Sequence, residues 1–335
     1  MTDLLTSLLT DRDWLLADGA TGTTLFNMGL EAGDAPELWN VDHPDRITAL
    51  YSGAVEAGSD LFLTNTFGAN ASRLKLHSAE GRVGELNRAG AQIGRDVADK
   101  AGRPVVVAGS VGPTGEIMAP MGTLTHEDAV EIFHEQAEGL KAGGADVLWV
   151  ETISAAEEMK AAAEAFALAE MPWCGTMSFD TAGRTMMGLT SAKMARMMAR
   201  LPNPPAGFGA NCGVGASDLL RTVLGFDGAE LPVIAKGNAG IPKYVDGHIH
   251  YDGTPELMAD YAVLARDCGA RIIGGCCGTT QEHLRKMRAA LETVPTGPRP
   301  DLATIEARLG GFSSASDGTD GAGPPARKTR RRARA

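Results

Sequence analysis

Several things are scarce in this 335-residue chain. Aromatic residues make up 5% of it, with four Trp and four Tyr. A cage of rings, the common holder of a quaternary ammonium, therefore has few residues to draw on. No apolar run approaches the roughly 18 residues of a membrane span. The start, Met1-Thr2-Asp3-Leu4-Leu5, lacks a basic region followed by a long apolar stretch. No signal peptide and no membrane partner are expected, and the cytoplasm is the expected location. Basic residues are outnumbered, 31 Lys and Arg against 42 Asp and Glu. The last ten residues hold six of the basic ones and no acid, so the rest is more acidic than the overall net charge of −11. Such a body is a poor partner for nucleic acid. Cysteine is sparse too, at five residues. In a reducing compartment, thiols more often serve metals or catalysis than disulfides. The number is odd, and two adjoin: Cys276-Cys277.

What is abundant is a regular alternation. Short apolar or β-branched runs recur at Trp14–Ala17, Asp60–Thr64, Pro104–Ala108, Asp146–Val150, Trp173–Ser178, Gly207–Ala210, Pro232–Ala235 and Arg271–Ile273. Between them lie Arg46–Glu56, Gly84–Lys100, His126–Ala142, Ala155–Ala169, Ser191–Arg200 and Pro255–Asp267. These carry apolar residues at three- and four-residue spacing, as helices do. A glycine turn repeats where helix feeds strand, at Ala57-Gly58-Ser59-Asp60, Gly143-Gly144-Ala145-Asp146 and Cys268-Gly269-Ala270-Arg271. Glycine suits a helix C-terminus that turns straight into a strand. No G-x-G-x-x-G follows the first strand, which weighs against a doubly wound dinucleotide fold.

Eight such units predict an α/β fold, a single (β/α)8 TIM barrel over residues 1–298. Residues 299–312 read as a short extension with helical character. Residues 313–335 (SSASDGTDGAGPPARKTRRRARA) lack large apolar residues and read as a disordered, Arg-rich tail. The barrel also predicts that functional groups follow the C-terminal ends of the strands. The residues there are Asp18, Asn65, Ser110, Glu151, Asp180, Cys212, Asn238 and Cys276.

Cys212 ends the sixth strand and Cys276-Cys277 the eighth, so the three sulfurs can converge at the barrel mouth. Successive strand residues face opposite ways, and a vicinal pair reaches one ion only where the strand breaks, which the flanking glycines allow. Three thiolates with an open fourth position describe a catalytic zinc site, whereas structural zinc takes four protein ligands. The competing account is two small buried hydrophobes. Cys174 and Cys268 read as buried bystanders. Thiolate-held zinc suits a reaction needing a thiolate nucleophile near neutral pH.

The motifs Asp18-Gly19-Ala20-Thr21-Gly22-Thr23, Thr64-Asn65-Thr66-Phe67-Gly68-Ala69, Gly112-Pro113-Thr114-Gly115-Glu116 and Glu151-Thr152-Ile153-Ser154 stand in that order. Gly209-Ala210-Asn211-Cys212, Asn238-Ala239-Gly240 and Gly274-Gly275-Cys276-Cys277-Gly278 follow. Over Trp14 to Leu291 the chain resembles the homocysteine S-methyltransferase family. That family includes the betaine- and S-methylmethionine-dependent enzymes and the homocysteine barrel of cobalamin-dependent methionine synthase. The resemblance implies a methyltransferase of methionine biosynthesis that moves a methyl group onto a zinc-bound homocysteine thiolate. It implies one Zn2+ per chain on Cys212, Cys276 and Cys277, with Asn238 as a displaceable fourth ligand. Asp18 and Glu151 would hold the homocysteine ammonium, and the N–H groups of the turn Gly19, Ala20, Thr21 and onward its carboxylate.

The donor is left open among a corrinoid protein or methylcobalamin, betaine and S-methylmethionine. Betaine enzymes carry Tyr directly after the glutamate, where this chain has Thr152, and Trp39 is offset from their cage tryptophan. No folate or cobalamin site is expected within the chain. Asp246-Gly247-His248-Ile249-His250 begins like a cobalamin-binding D-x-H-x-x-G, but Tyr251 breaks it and an Asp-Gly hairpin is the better reading. Two alternatives stand beside the enzyme. One is a non-catalytic zinc- or thiol-binding barrel, a sensor or assembly subunit whose basic tail docks a partner. The other is an aldolase-type barrel using Lys236 for a Schiff base. An oligomer is compatible with either.

Overall fold

A computed structural model describes residues 3–241, 243–245, 248–316 and 318. Seven strands come first: β1 (Leu15–Leu16), β2 (Leu61–Leu63), β3 (Val106–Val111), β4 (Val147–Ile153), β5 (Trp173–Met177), β6 (Gly207–Cys212) and β7 (Val233–Gly237). An antiparallel hairpin of β8 (Lys243–Val245) and β9 (His248–His250) precedes the last barrel strand, β10 (Ala270–Gly275). The eight-stranded sheet is parallel throughout its ladders, in the order β1-β10-β7-β6-β5-β4-β3-β2. This is the expected (β/α)8 barrel. The 246–247 turn and the side chains of 242–250 lie outside the described residues, and with them the question of His248 and His250.

Most strands run further than propensity predicts. β6 continues through Asn211 and Cys212, β7 through Lys236 and Gly237, and β4 through Glu151 to Ile153. Neighbouring parallel strands supply the ladder bonds, so polar and glycine residues stay extended where their own preference would end the strand. Several functional candidates therefore sit inside strand ends and gain their rigidity.

Between β1 and β2 the sheet has no ladder, and two aspartates span the seam. Asp60 N–H donates to Leu16 O at 2.6 Å while its carboxylate accepts from Leu16 N–H at 2.9 Å. At the other end of the seam, Asp18 Oδ2 accepts from Leu63 N–H at 2.8 Å.

The outer helices follow their sequence signals. They are α1 (Leu4–Asp11), α2 (Gly22–Asn27), α3 (Trp39–Asp42), α4 (Pro44–Glu56), α5 (Ala71–Leu74), α6 (Val83–Asp99), α7 (His126–Ala142) and α8 (Ala156–Leu168). After them come α9 (Ser191–Met198), α10 (Ala216–Leu224), α11 (Pro255–Asp267), α12 (Gln281–Thr293) and α13 (Leu302–Leu309). In α7, Thr125 caps the Asp128 N–H, acids fill the first turn and Lys141 stands in the last, matching the helix dipole. The three repeated turns place Gly58, Gly144 and Gly269 at φ of +103°, +87° and +100°, which a side chain would resist.

The N-terminal helix α1 closes the barrel floor. Leu5, Leu8 and Leu9 bury against inward-facing Leu15, Leu61, Val106, Val147, Trp149 and Ile234, each leucine contributing about 2 kcal/mol. Past the barrel, α13 packs on α10 and α11. Ser313 N–H then donates to Asp218, and Arg221 donates to Ser314 O. Position 317 and residues 319–335 lie outside the described residues. No helix among the described residues is long and apolar enough to cross a membrane.

Candidate active site

The three thiols meet at the mouth. Cys212 is the last residue of β6, and its φ is +59°, the left-handed region. Cys276 and Cys277 follow β10 at its break. The pair is fixed by Cys276 N–H on Gly237 O at 2.7 Å and Cys277 N–H on Asn238 Oδ1 at 3.1 Å. Gly278 is required beside them, because a Cβ there would come within 2.4 Å of the Tyr251 ring. The three Sγ atoms lie within 4.8 Å of one another and are half-buried. Sulfurs about 2.3 Å from a tetrahedral zinc stand about 3.8 Å apart. Closing the cluster onto an ion thus needs movements of no more than about 1 Å, and the donor set fits a soft divalent metal.

Without a cation the thiols resist joint ionisation. At Cys212 the hydrogen bond with Cys276 favours the thiolate, but the bond with Cys277, burial and the neighbouring sulfur outweigh it and push the thiol up to about 11. Cys277 is likewise favoured by its bond to Cys212, yet Cys276 and burial push it to about 12. Crowded thiols of this kind are what a metal ion stabilises as thiolates.

A pocket of about 290 Å3 opens beside the sulfurs, lined by Asp18, Gly19 to Thr23, Ser110, Glu151, Thr152, Cys212, Lys236, Cys276 and Cys277. Glu151 projects where β4 slips register against β5, between Val150 and Ile153, and Thr152 takes a φ of +63°. Such a bulge re-aims a side chain. Burial raises the Glu151 carboxyl; Lys236 and the Ser110 hydroxyl, which donates to it at 2.6 Å, partly offset this. Asp18 is buried, with Oδ1 2.5 Å from Lys236 Nζ. Burial works against the Lys236 ammonium, but Asp18 and Glu151 outweigh it and hold the proton more tightly than in a free lysine. A Schiff-base lysine needs the reverse, which weighs against the aldolase alternative.

The other expected residues divide. Ala20 N–H is taken by Thr279 O at 3.1 Å. The N–H groups of Gly19, Thr21, Gly22 and Thr23 have no hydrogen-bond partner among the described residues and border the pocket. Asn238 is buried with both amide ends in use, Nδ2 on Gly213 O and Oδ1 on Cys277 N–H. Asn65 turns to Pro36 and Asn40. Trp39 is buried under Arg46, 4.5 Å from its ring centroid, and lines no part of the pocket. Cys174 and Cys268 are buried and far up in proton affinity.

Sequence reasoning missed two residues. Asn211 is fully buried and joins three strand ends. Its Oδ1 accepts from Thr152 N–H and Thr176 Oγ1, and its Nδ2 donates to Thr152 Oγ1. Its place before Cys212 was the available signal. Tyr251, bonded to Cys277, had none beyond Gly278.

A wider groove of about 960 Å3 shares Thr152 and Cys212 with the pocket. Its walls include Pro113, Ile117, Met121, Glu157, Asp180, Met186 and Met187, and no Trp, Tyr or Phe among the described residues. The 112–116 loop is held there by Glu158, which accepts from Thr114 N–H and Oγ1.

Residues 15–291 match the homocysteine S-methyltransferase family. The chain belongs to that family. It is 31% identical to methionine synthase of Mycobacterium leprae (strain TN) over 320 residues, 89% of this chain and 26% of that protein. Methionine synthase of Mycobacterium tuberculosis is also 31% identical, over 310 residues, again 26% of that protein. The chain thus spans about a quarter of the length of the methionine synthases it matches. Among solved structures, the metallated and oxidised forms of the homocysteine methyltransferase MmuM from Escherichia coli share the fold. Each has a TM-score of 0.71 at 24% identity, covering 86% of this chain and 99% of that one.

Proposed function

We propose that this chain forms methionine by moving a methyl group onto the sulfur of homocysteine, with a zinc ion held by Cys212, Cys276 and Cys277. The convergence of three sulfurs beside a pocket holding Glu151, Asp18 and Lys236 carries the reading. Membership of a homocysteine-named family supports the acceptor. A zinc ion bound there would supply Lewis acidity, lowering the pKa of the acceptor thiol to leave a nucleophilic thiolate.

The chain's own residues do the rest. Glu151, beside the Asp18–Lys236 pair, is the carboxylate that favours an ammonium. The N–H groups of Thr21, Gly22 and Thr23 face the place left for a carboxylate. Asn238 braces the Cys277 backbone, and Asn211 keeps Thr152 and Cys212 in register. The sulfur nucleophile and the donor meet at Cys212, which both cavities share, acceptor in the inner pocket and donor in the wider groove. A groove with no aromatic ring among its described lining residues weighs against a caged quaternary ammonium. Methylcobalamin on a separate corrinoid protein is therefore favoured, with S-methylmethionine next and betaine last. A reducing cytoplasm suits three free thiols.

The test is metal analysis of protein purified under reducing conditions, followed by methyl transfer to homocysteine from betaine, S-methylmethionine and methylcobalamin in parallel. About one zinc per chain and methionine from one donor are expected. Zinc-free protein that still bound homocysteine would sink the mechanism, and zinc without turnover from any donor would favour a sensor.

A further inference from the structure

The pocket holds a buried cation. Lys236, on β7, is 2% exposed and lines the pocket with Asp18, Glu151 and Cys276. Its Nζ stands 2.5 Å from Asp18 Oδ1 and 5.9 Å from the Trp149 ring centroid. An ammonium carries three donors, and among the described residues only Asp18 accepts from this one. Asp18 is committed on both oxygens, to Lys236 and to Leu63 N–H. Glu151 is committed on Oε1 alone; its Oε2 has no hydrogen-bond partner among the described residues. A ligand ammonium entering between the two carboxylates meets a protein ammonium already seated on one of them. Like charges sharing one buried counter-ion oppose each other.

We propose that Lys236 and Glu151 read the acceptor's headgroup as a pair. Glu151 takes the ammonium, and the spare donors of Lys236 take the carboxylate together with the Thr21 to Thr23 N–H groups. Asp18 is a positioning residue that holds Lys236 in place. The proposal rests on the homocysteine reading above and assigns its two charged ends. Asp18 and Lys236 cancel, which leaves Glu151 as the uncompensated carboxylate for one ammonium. The specificity is thus for a zwitterionic thiol.

Zinc-loaded protein is titrated calorimetrically with homocysteine, with 4-mercaptobutanoate, which lacks the ammonium, and with 3-aminopropane-1-thiol, which lacks the carboxylate. A wild type that holds zinc but binds no homocysteine overturns the underlying reading, and this pairing with it. In K236M, matched for zinc content, homocysteine and 4-mercaptobutanoate lose at least tenfold in affinity. The aminothiol binds as before or more tightly, because Asp18 is released to it. E151Q gives the mirror image: both amine-bearing thiols weaken tenfold and 4-mercaptobutanoate stays within twofold. An aminothiol weakened in K236M as much as the mercaptoacid, or unmoved in E151Q, overturns the proposal. E151Q leaves the Asp18–Lys236 pair intact, so it decides the matter even where K236M does not fold.

Discussion

Two aspartates bridge the same gap in the barrel wall from opposite ends, and their surroundings differ sharply. Asp60, at the floor, is 1% exposed and faces three arginines, with Arg12 at 2.7 Å, Arg288 at 2.9 Å and Arg103 at 3.6 Å. Asp18, at the mouth, is buried against a single lysine beside a pocket. The floor brings more cation than its carboxylate needs and leads nowhere, as befits a structural closure. The mouth keeps its charge balance tight and leaves donors and acceptors unspent. Partner surplus against partner deficit separates scaffold from site here, in keeping with the division of labour between the two faces of such barrels.

The strongest challenge to this contrast is removal of a thiol. Cys277→Ala is expected to lose methyl transfer by at least about 1000-fold, equivalent to about 4 kcal/mol, with zinc lost from the purified protein. Urea unfolding of the metal-free forms should differ by no more than about 1 kcal/mol, since the thiol is half-buried. Asp60→Ala should do the opposite. It leaves the Leu16 N–H and three guanidiniums without their shared acceptor and costs about 3 kcal/mol in urea unfolding. Turnover per folded molecule and zinc content should then stay within twofold of wild type, and a mouth defect in this variant would break the contrast.

A smaller effect sharpens it. Burial raises the Glu151 carboxyl in the folded protein, so folding favours its protonated form. The stability this group contributes is full below the unfolded glutamate value and is lost as pH rises through the folded one. Glu151→Gln removes that dependence and should be more stable at pH 7. Each tenfold of proton affinity is worth about 1.4 kcal/mol. Thermal unfolding between pH 4 and 8 reads the result, and equal slopes in both proteins would contradict it. Smallest is Cys268→Ala. It trims a buried thiol at the end of α11 for about 0.5 to 1 kcal/mol and leaves metal content unchanged.

Much of this could be read in the residues. The (β/α)8 alternation, the glycine turns and the three sulfurs depend on local pattern and topology, and both are written along the chain. α7 and α11 run between the very residues that periodicity and caps indicate. What pattern could not supply was the far end of β3, β4, β6, β7 and β10. Lys236 and Asn211 remain extended only because a neighbour's ladder holds them, and the role of each depends on partners distant in sequence. Lys236 meets Asp18 across 218 positions, and a motif scan weighs it by itself, as a nucleophile. The α1 plug was overlooked for a similar reason: a short leucine helix carries no function signal, and its purpose appears only with the floor it fills.

Asn211 has one more consequence. One planar amide pins the Thr152 backbone next to Glu151 and sits immediately before Cys212. Headgroup recognition and sulfur placement are thereby mechanically linked, and their free energies should not add. In a double-mutant cycle between Glu151→Gln and Cys212→Ser, the coupling measured with Asn211 intact should collapse toward zero once Asn211 is alanine. One buried side chain would then account for the cooperativity between the acceptor's two ends.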